Sequence, residues 1–272
     1  MAVWEALLEK LPLTAMIRNL ATMTRVGLLD SVEAVGRIVD QVTDQRRLAA
    51  ARVHPIAVLA ALKTYAQGHG ERGQNTWKPV QKIVDALDAA FYASFGNVKP
   101  TGKRWHLGLD VSGSMGCGTV AGVPGLTPLV ATAAMALVTA AVEPDHVFTA
   151  FSHTLVPVNI SPRQRLDDVV RTMAKIPMGG TDCSLPMRWA TEQRAAADVF
   201  VVLTDSETWA GHIHPAQALD QYRQRMGIPA KLIVVAMVSN GFTIASPEDA
   251  GMLDVVGFDT ATPQVMSDFA AR

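Results

Sequence analysis

The chain is poor in the residues that mark secreted or disordered proteins. Its 272 residues include two cysteines, Cys117 and Cys183, which cannot build a disulfide framework and favour a reducing compartment, so we expect a cytoplasmic location. Charged residues make up 18% of the chain and hydrophobic residues 49%, which allows a sizeable core and excludes wholesale disorder. The first residues lack a basic segment and include Glu5 and Glu9, which is untypical of a secretory signal peptide.

Long apolar runs and the common catalytic motifs are also scarce. The longest apolar stretch, residues 126–142, contains three threonines and barely reaches the length of a bilayer span. It predicts a buried helix, and we expect no membrane partner. The sequence contains no phosphate-binding glycine-lysine motif and no Ser-His-Asp order of a hydrolase. We therefore expect a protein that is not an enzyme.

The first part of the chain has the spacing of amphipathic helices. Met16 and Leu20 belong to an apolar pattern with helical period, and two further patterns begin near a proline and end at Gly68 and Gly96. No stretch here alternates as a strand would. We predict that residues 1–102 form a small, all-α domain of stacked antiparallel helices, as in a helical-repeat segment.

The second part of the chain, residues 103–272, alternates continuous apolar strands with helices. This order predicts an α/β domain with a doubly wound, mostly parallel, Rossmann-like sheet that is covered on both faces. The predicted strands are residues 105–110, 146–151, 154–158, 199–204, 231–238 and 255–258.

Polar side chains with oxygen atoms follow two of these strands. The stretch GLDVSGSMG carries Asp110, Ser112 and Ser114, the loop MGGTDCS carries Thr181, and Asp205 ends the stretch VFVVLTD. In a doubly wound sheet, ligands bind at the carboxyl ends of the strands, so these loops are expected at one edge. Two carboxylates and three hydroxyls suit Mg²⁺ or another hard divalent cation. The alternative for Asp-x-Ser-x-Ser alone is an ordinary polar turn.

This set of residues resembles the metal-ion-dependent adhesion site of von Willebrand factor A domains. In that family an Asp-x-Ser-x-Ser loop, a later threonine and a later aspartate share one divalent cation. The resemblance implies that Asp110, Ser112, Ser114, Thr181 and Asp205 are the ligands in this chain.

A wider resemblance covers nearly the whole chain. The stretches HPIAVLAALKTYAQGHGERG, KIVDALDAAFYASFGNVKPTGKR, GGTDCSLPMRWA and DVFVVLTDSETWAG are similar to those of Ro ribonucleoprotein autoantigens, which contain a TROVE module. That family joins a ring of helical repeats to a von Willebrand A domain. The resemblance implies that residues 1–102 correspond to the last helices of the ring, which by themselves are too few to close one.

The same resemblance implies RNA partners. Members of the family bind small noncoding Y RNAs and single-stranded RNA ends, and some bacterial relatives act with an exoribonuclease. Residues 1–104 hold 14 basic and 9 acidic side chains, a balance that suits an anionic partner. The candidate RNA contacts, which combine phosphate-binding cations with a base-stacking ring, are Arg52, Lys63, Arg72, Trp77 and Lys78. The alternative is that such charges lie on solvated helix faces and that the aromatic rings are core.

Three hypotheses of function follow from these patterns. The first is a non-catalytic, RNA-associated module of a ribonucleoprotein with a cation site in its A domain. The second is a magnesium-dependent protein-docking A domain that binds no RNA. The third is a metal-assisted hydrolase, which we do not favour because the sequence places no general base beside the cation ligands. The sequence predicts no oligomeric state.

Overall fold

The structure, a computed structural model, describes residues 2–70, 75–120, 123, 125–205, 210–238 and 244–272. The chain divides into two compact units. The helical unit consists of Met1–Lys99 together with Val123–Leu126, and the sheet unit consists of Pro100–Gly122 and Thr127–Arg272.

The described residues of the helical unit form six α-helices, three of which the apolar spacing predicted. They are α1 (Ala2–Leu7), α2 (Leu13–Arg25), α3 (Val32–Thr43), α4 (Gln45–Ala50), α5 (Pro55–Ala66) and α6 (Gln81–Ala93). Local capping fixes where some of them begin. The Nδ1 atom of His54 accepts a hydrogen bond from the N–H of Ile56 at 3.1 Å, and Pro55 occupies the first turn of α5.

Apolar side chains of α2, α3, α5 and α6 form the core of the helical unit. Met16, Ile38, Leu59 and Leu87 are fully buried, because each lies on the apolar stripe of its helix. Phe91 is buried as well, so this ring is core and not an exposed stacking platform.

A short segment from later in the chain also belongs to the helical unit. Leu126 is fully buried, and Gly125 lies so close to α5 that a Cβ atom there would be 3.1 Å from the backbone oxygen of Lys63. Gly125 also has a positive φ of 73°, a conformation that favours glycine. Gly125 and Leu126 are therefore anchored among the helices of this unit.

The sheet unit contains a six-stranded sheet with the order β3-β2-β1-β4-β5-β6. The strands are β1 (Trp105–Asp110), β2 (His146–Phe151), β3 (Leu155–Val158), β4 (Val199–Thr204), β5 (Lys231–Ala236) and β6 (Met252–Val256). All neighbouring strands run parallel except β3, which pairs antiparallel with β2 at one edge. The predicted doubly wound, mostly parallel sheet is confirmed.

Five helices belong to the described part of this unit. They are α7 (Pro128–Val142), α8 (Leu166–Met173), α9 (Leu185–Gln193), α10 (Pro215–Met226) and α11 (Thr262–Ala271). α7 is the long apolar stretch, and most of its side chains are buried, as predicted. No helix in the described ranges is both long enough and apolar enough to span a membrane.

The order of the strands reverses between β1 and β4. From β1 the chain continues outward through β2 and β3, and it then returns to the other side of β1 to form β4, β5 and β6. Such a reversal opens a crevice at the carboxyl ends of the two central strands. Asp110 is the last residue of β1 and Asp205 directly follows β4, so these two carboxylates flank the crevice.

The predicted bounds of the last two strands were wrong. The last strand is Met252–Val256 and not residues 255–258, because Gly257 turns the chain with a φ of 82°. The polar Asp254 in its middle hid the start of the strand from an apolar-run pattern. β5 ends at Ala236, which is its last pair with β6, two residues before the predicted end.

Candidate metal site

Asp110 is fixed at the crevice by two hydrogen bonds. Its Oδ1 atom accepts a hydrogen bond from the backbone N–H of Ser112 at 2.8 Å, and its Oδ2 atom accepts one from the hydroxyl of Thr204 at 2.7 Å. Asp110 is fully buried, and Thr204 is the last residue of the neighbouring strand β4. The carboxylate is therefore held in one orientation between the two central strands.

Burial makes the charge of this carboxylate costly. Burial, and to a smaller extent the nearby negative charge of Asp205, raise the pKa of Asp110 to about 6, although the hydrogen bonds from Ser112 and Thr204 act in the opposite direction. Asp110 and the half-buried Asp205 repel each other, and a divalent cation between them would offset this repulsion. The electrostatics of the site therefore fit a hard cation.

The loop after β1 turns both serine hydroxyls toward each other. Ser112 Oγ and Ser114 Oγ are 3.2 Å apart, because residues Gly113–Gly116 form a single turn of 3₁₀ helix. The side chain of Met115 is fully buried and anchors this turn, whereas Ser114 is exposed. The pair of hydroxyls therefore lies next to Asp110 and opens to solvent.

The threonine loop is held at the same edge of the sheet. The backbone N–H of Asp182 donates to the oxygen of Ser152, just past the end of β2, at 2.9 Å. The oxygen of Thr181 accepts a hydrogen bond from the N–H of Ala210 at 3.0 Å. The loop also lies against the serine turn, since a Cβ atom on Gly113 would be 3.6 Å from Met178 Sδ. Thr181 thus lies between the loops that follow β2 and β4.

Close packing explains the two glycines before Thr181. A Cβ atom on Gly179 would lie 1.7 Å from His153 Nδ1, and one on Gly180 would lie 3.2 Å from the Cβ of Ala210. A side chain at Gly179 is thus impossible without movement of His153. The double glycine in the sequence is the signal of this close approach.

The donor set suits a hard cation. Asp110, Ser112, Ser114, Thr181 and Asp205 supply carboxylate and hydroxyl oxygens, which Mg²⁺ prefers over nitrogen and sulfur. Among the described residues, no group of three or more His, Cys, Asp or Glu side chains is arranged to hold a metal ion. The site therefore depends on its hydroxyl ligands, and the ligation itself stays a prediction.

Sequence reasoning missed two side chains of this site. Thr204 orients Asp110, and Asp182 is buried directly beside Thr181. Each of them is the sequence neighbour of a predicted ligand, and no other feature of the sequence indicates its role. His214 has a structural role in the sheet unit, because its Nδ1 atom caps α10 by accepting the N–H of Ala216 at 3.3 Å.

The candidate RNA contacts lie at opposite ends of α5. Arg52 is exposed and precedes the helix, whereas Trp77 donates its Nε1–H to the oxygen of Tyr65, near the end of α5, at 2.8 Å. The rings of Trp77 and Tyr65 stack with their centroids 6.5 Å apart. Lys63 is half-buried and Lys78 is exposed. Arg72 lies outside the described residues. The structure therefore does not bring Arg52 together with Trp77.

Comparison with known protein families matches both parts of the chain. The model of the Ro60 vWA domain matches residues 104–270, and the TROVE domain model matches residues 1–64 and 61–103. "RNA-binding protein RO60" of Deinococcus radiodurans is 48% identical over 270 residues, which are 98% of this chain and 51% of that protein. "RNA-binding protein RO60" of Caenorhabditis elegans is 47% identical over 98% of this chain and 41% of that protein.

A solved structure agrees with these relatives. The crystal structure of the Ro (Rsr) protein of Deinococcus radiodurans superposes with a TM-score of 0.94 at 48% identity, over 99% of this chain and 55% of that one. The chain thus spans about half the length of the relatives it matches. The strand order, the family models and these identities together show that the chain belongs to the Ro60 family, in which TROVE sequence is followed by a Ro60 von Willebrand A domain.

Proposed function

We propose that this chain is a non-catalytic, RNA-binding module that works in a ribonucleoprotein and holds a divalent cation, Mg²⁺, in its sheet unit. Relatives that are 48% and 47% identical are named RNA-binding proteins, which supports RNA as the partner. The RNA is expected to be a small noncoding Y-type RNA or a single-stranded RNA end. Cytoplasmic location and an exoribonuclease partner stay predictions.

The helical unit offers exposed cations for the phosphates of an RNA. Arg52 and Lys78 are exposed, and no acidic side chain in the described ranges forms an ion pair with either of them. Arg52 also has a φ of 48°, a left-handed conformation that costs a residue with a Cβ about 1–2 kcal/mol. This conformation ends α4, where the N–H of Val53 donates to the oxygen of Leu48 at 3.1 Å. Arginine can bind a phosphate through two parallel N–H donors, so the exposure of its guanidinium supports an RNA contact.

Salt-dependent RNA binding is the test of this proposal. Fluorescence anisotropy with a labelled single-stranded RNA should show binding that weakens as salt rises, because bound counterions are released. Lys78→Ala should weaken binding and reduce the slope of log K against log salt by about 0.7, the value for one lost phosphate contact on a single strand. Arg163→Ala, which removes an exposed cation of the sheet unit, is the matched control. Indifference of the chain to RNA at low and moderate salt would contradict the proposal.

The cation is proposed to bind at the carboxyl edge of the sheet. Asp110, Ser112, Ser114, Thr181 and Asp205 would hold it, and the bound ion would supply a positive charge with a coordination position open to an outside oxygen atom. Ser114 is exposed, which supports access from solvent. Calorimetric titration with Mg²⁺ tests this part, and Asp110→Ala should abolish the binding heat.

A second candidate function is magnesium-dependent docking of a protein. Met178 supports it, because its side chain is 60% exposed and lies against the serine turn at Gly113. An apolar side chain beside an open cation would suit a protein partner that combines a carboxylate with an apolar residue. A purified exoribonuclease from the same organism is the defined test partner. This function requires that the complex form with Mg²⁺, disappear with EDTA and be lost in Asp110→Ala.

A further inference from the structure

The carboxylate of Asp182 is buried beside the candidate metal site, and its oxygen atoms interact with Ser184 and Arg188. Its Oδ1 atom accepts hydrogen bonds from the N–H and the hydroxyl of Ser184, at 2.9 and 2.5 Å. Its Oδ2 atom is 3.6 Å from Nη1 of Arg188, in α9. A buried carboxylate that is paired in this way is held on the side of α9 and has little capacity left for a metal ion.

The same carboxylate packs against the loop that follows β4. A Cβ atom on Gly211 would lie 2.6 Å from Cγ, Oδ1 and Oδ2 of Asp182, so the carboxylate rests directly on this glycine. The preceding residue, Ala210, donates its N–H to the oxygen of Thr181. Asp182 therefore contacts the threonine loop, α9 and Gly211, which follows Asp205 in the chain.

We propose that Asp182 is a positioning residue for the cation site: it fixes the backbone of Thr181 relative to α9 and Gly211, so that the threonine hydroxyl is held in one place at the site. This inference rests on the proposed cation site. Because metal ligands are oriented by the residues behind them, the loss of such a partner weakens metal binding about 10–100-fold without removal of a ligand.

Two variants change this contact without removal of a ligand. Asp182→Asn keeps the shape of the side chain and an acceptor for Ser184, but it removes the charge that pairs with Arg188. Gly211→Ala places a Cβ atom against the Asp182 carboxylate, at a φ of 100° that already disfavours alanine. Calorimetry should give a Kd for Mg²⁺ that is about tenfold higher for Asp182→Asn and at least as high for Gly211→Ala.

Matched controls separate positioning from general stability. Asp249→Asn breaks another Arg–Asp contact of the sheet unit, between Asp249 and Arg223, near the start of β6 at the opposite edge of the sheet. Gly227→Ala also adds a Cβ atom at a positive φ, of 66°, but no atom lies within 4 Å of that Cβ. Both controls should keep the Kd of the unaltered chain, even where urea unfolding in EDTA shows a comparable loss of stability.

The outcomes distinguish this inference from the cation site itself. If the unaltered chain binds no Mg²⁺, the cation site and with it the role of Asp182 are wrong. If the unaltered chain binds Mg²⁺ and all four variants bind it equally well, only the role of Asp182 is wrong. If Asp182→Asn abolishes binding as completely as Asp110→Ala does, Asp182 is a ligand and not a positioning residue.

Discussion

Thr204 donates its hydroxyl hydrogen to Oδ2 of Asp110 at 2.7 Å, and this bond joins the last residues of β4 and β1. Both residues are fully buried. The bond crosses the point where the strand order of the sheet reverses, and it orients the carboxylate on which the candidate cation site depends.

Removal of this hydroxyl should destabilise the sheet unit. Thr204→Val keeps the shape of the side chain but leaves a buried carboxylate oxygen without its donor, so the free energy of unfolding should fall by about 2 kcal/mol. Urea denaturation in EDTA measures the change. Thr191→Val removes a hydroxyl that donates to the oxygen of Met187 within α9 and should cost less than about 1 kcal/mol. Equal losses in the two variants would contradict the assigned role of Thr204.

The contact of β1 with α9 predicts a second loss of stability. A Cβ atom on Gly108 would lie 2.4 Å from Cγ of Pro186, so Gly108→Ala should force the helix away from the strand and cost about 2–3 kcal/mol. Gly36→Ala in α3, where no atom lies within 4 Å, should instead stabilise by about 0.5–1 kcal/mol. Thermal unfolding measures the change in stability of both variants. A Gly108→Ala variant as stable as the unaltered chain would contradict the close contact between β1 and α9.

Stability should also fall in mild acid because of His106. Burial lowers the pKa of His106 to about 3, whereas the unfolded chain takes up a proton near the ordinary value of 6.5. The folded protein therefore loses stability as pH falls from about 6.5 toward 3, by about 2 kcal/mol at pH 5 from this residue. Urea unfolding at pH 7.5 and pH 5 measures the loss.

A variant isolates the contribution of His106. His106→Gln removes the titrating group and leaves an acceptor or donor for Thr149, whose hydroxyl oxygen is 2.9 Å from His106 Nε2. The difference between the two pH values should shrink by about 2 kcal/mol. Part of the difference should remain, because burial also lowers the pKa of His54, to about 4. An unchanged difference would exclude His106 as its source.

Arg52→Gly should separate the stability of the helical unit from RNA binding. Glycine adopts a φ of 48° without steric cost, so the free energy of unfolding should stay equal or rise by up to about 1 kcal/mol. RNA affinity should nevertheless fall, since the guanidinium is lost. Arg194→Gly is the matched control, because Arg194 also has a positive φ, of 53°, and is exposed at the end of α9. Equal RNA affinities in the two variants would show that Arg52 does not contact the RNA.

Much of the sheet unit could be predicted because its signals are local. Apolar strands such as β4 are buried on both faces, and the order of Asp110, Thr181 and Asp205 in the chain suggests one edge of a doubly wound sheet. The start of β6 could not be predicted in this way, because Asp254 interrupts the apolar pattern. This strand is defined by its pairing with β5, and the pairing cannot be read from the sequence.

The side chains that orient the candidate site could not be predicted from the sequence, and the ligands themselves stay a prediction. Thr204 is the last residue of an apolar strand, and nothing in the stretch VFVVLTD shows that its hydroxyl reaches Asp110, 94 positions earlier. The contact between Asp182 and Gly211 likewise exists only because two separate loops meet in the folded chain. Such relationships depend on tertiary packing, whereas three of the proposed ligands, Asp110, Ser112 and Ser114, stand in one short stretch of the sequence.

The location of a bound ion is the most direct test of the central claim that three loops supply one cation site. A crystal of the chain soaked in Mn²⁺ should show one anomalous peak within about 2.5 Å of Ser112 Oγ, Ser114 Oγ and Thr181 Oγ1, the range expected for oxygen ligands of a hard cation. A peak elsewhere, or none at this edge in a crystal with the ion present, would contradict the account.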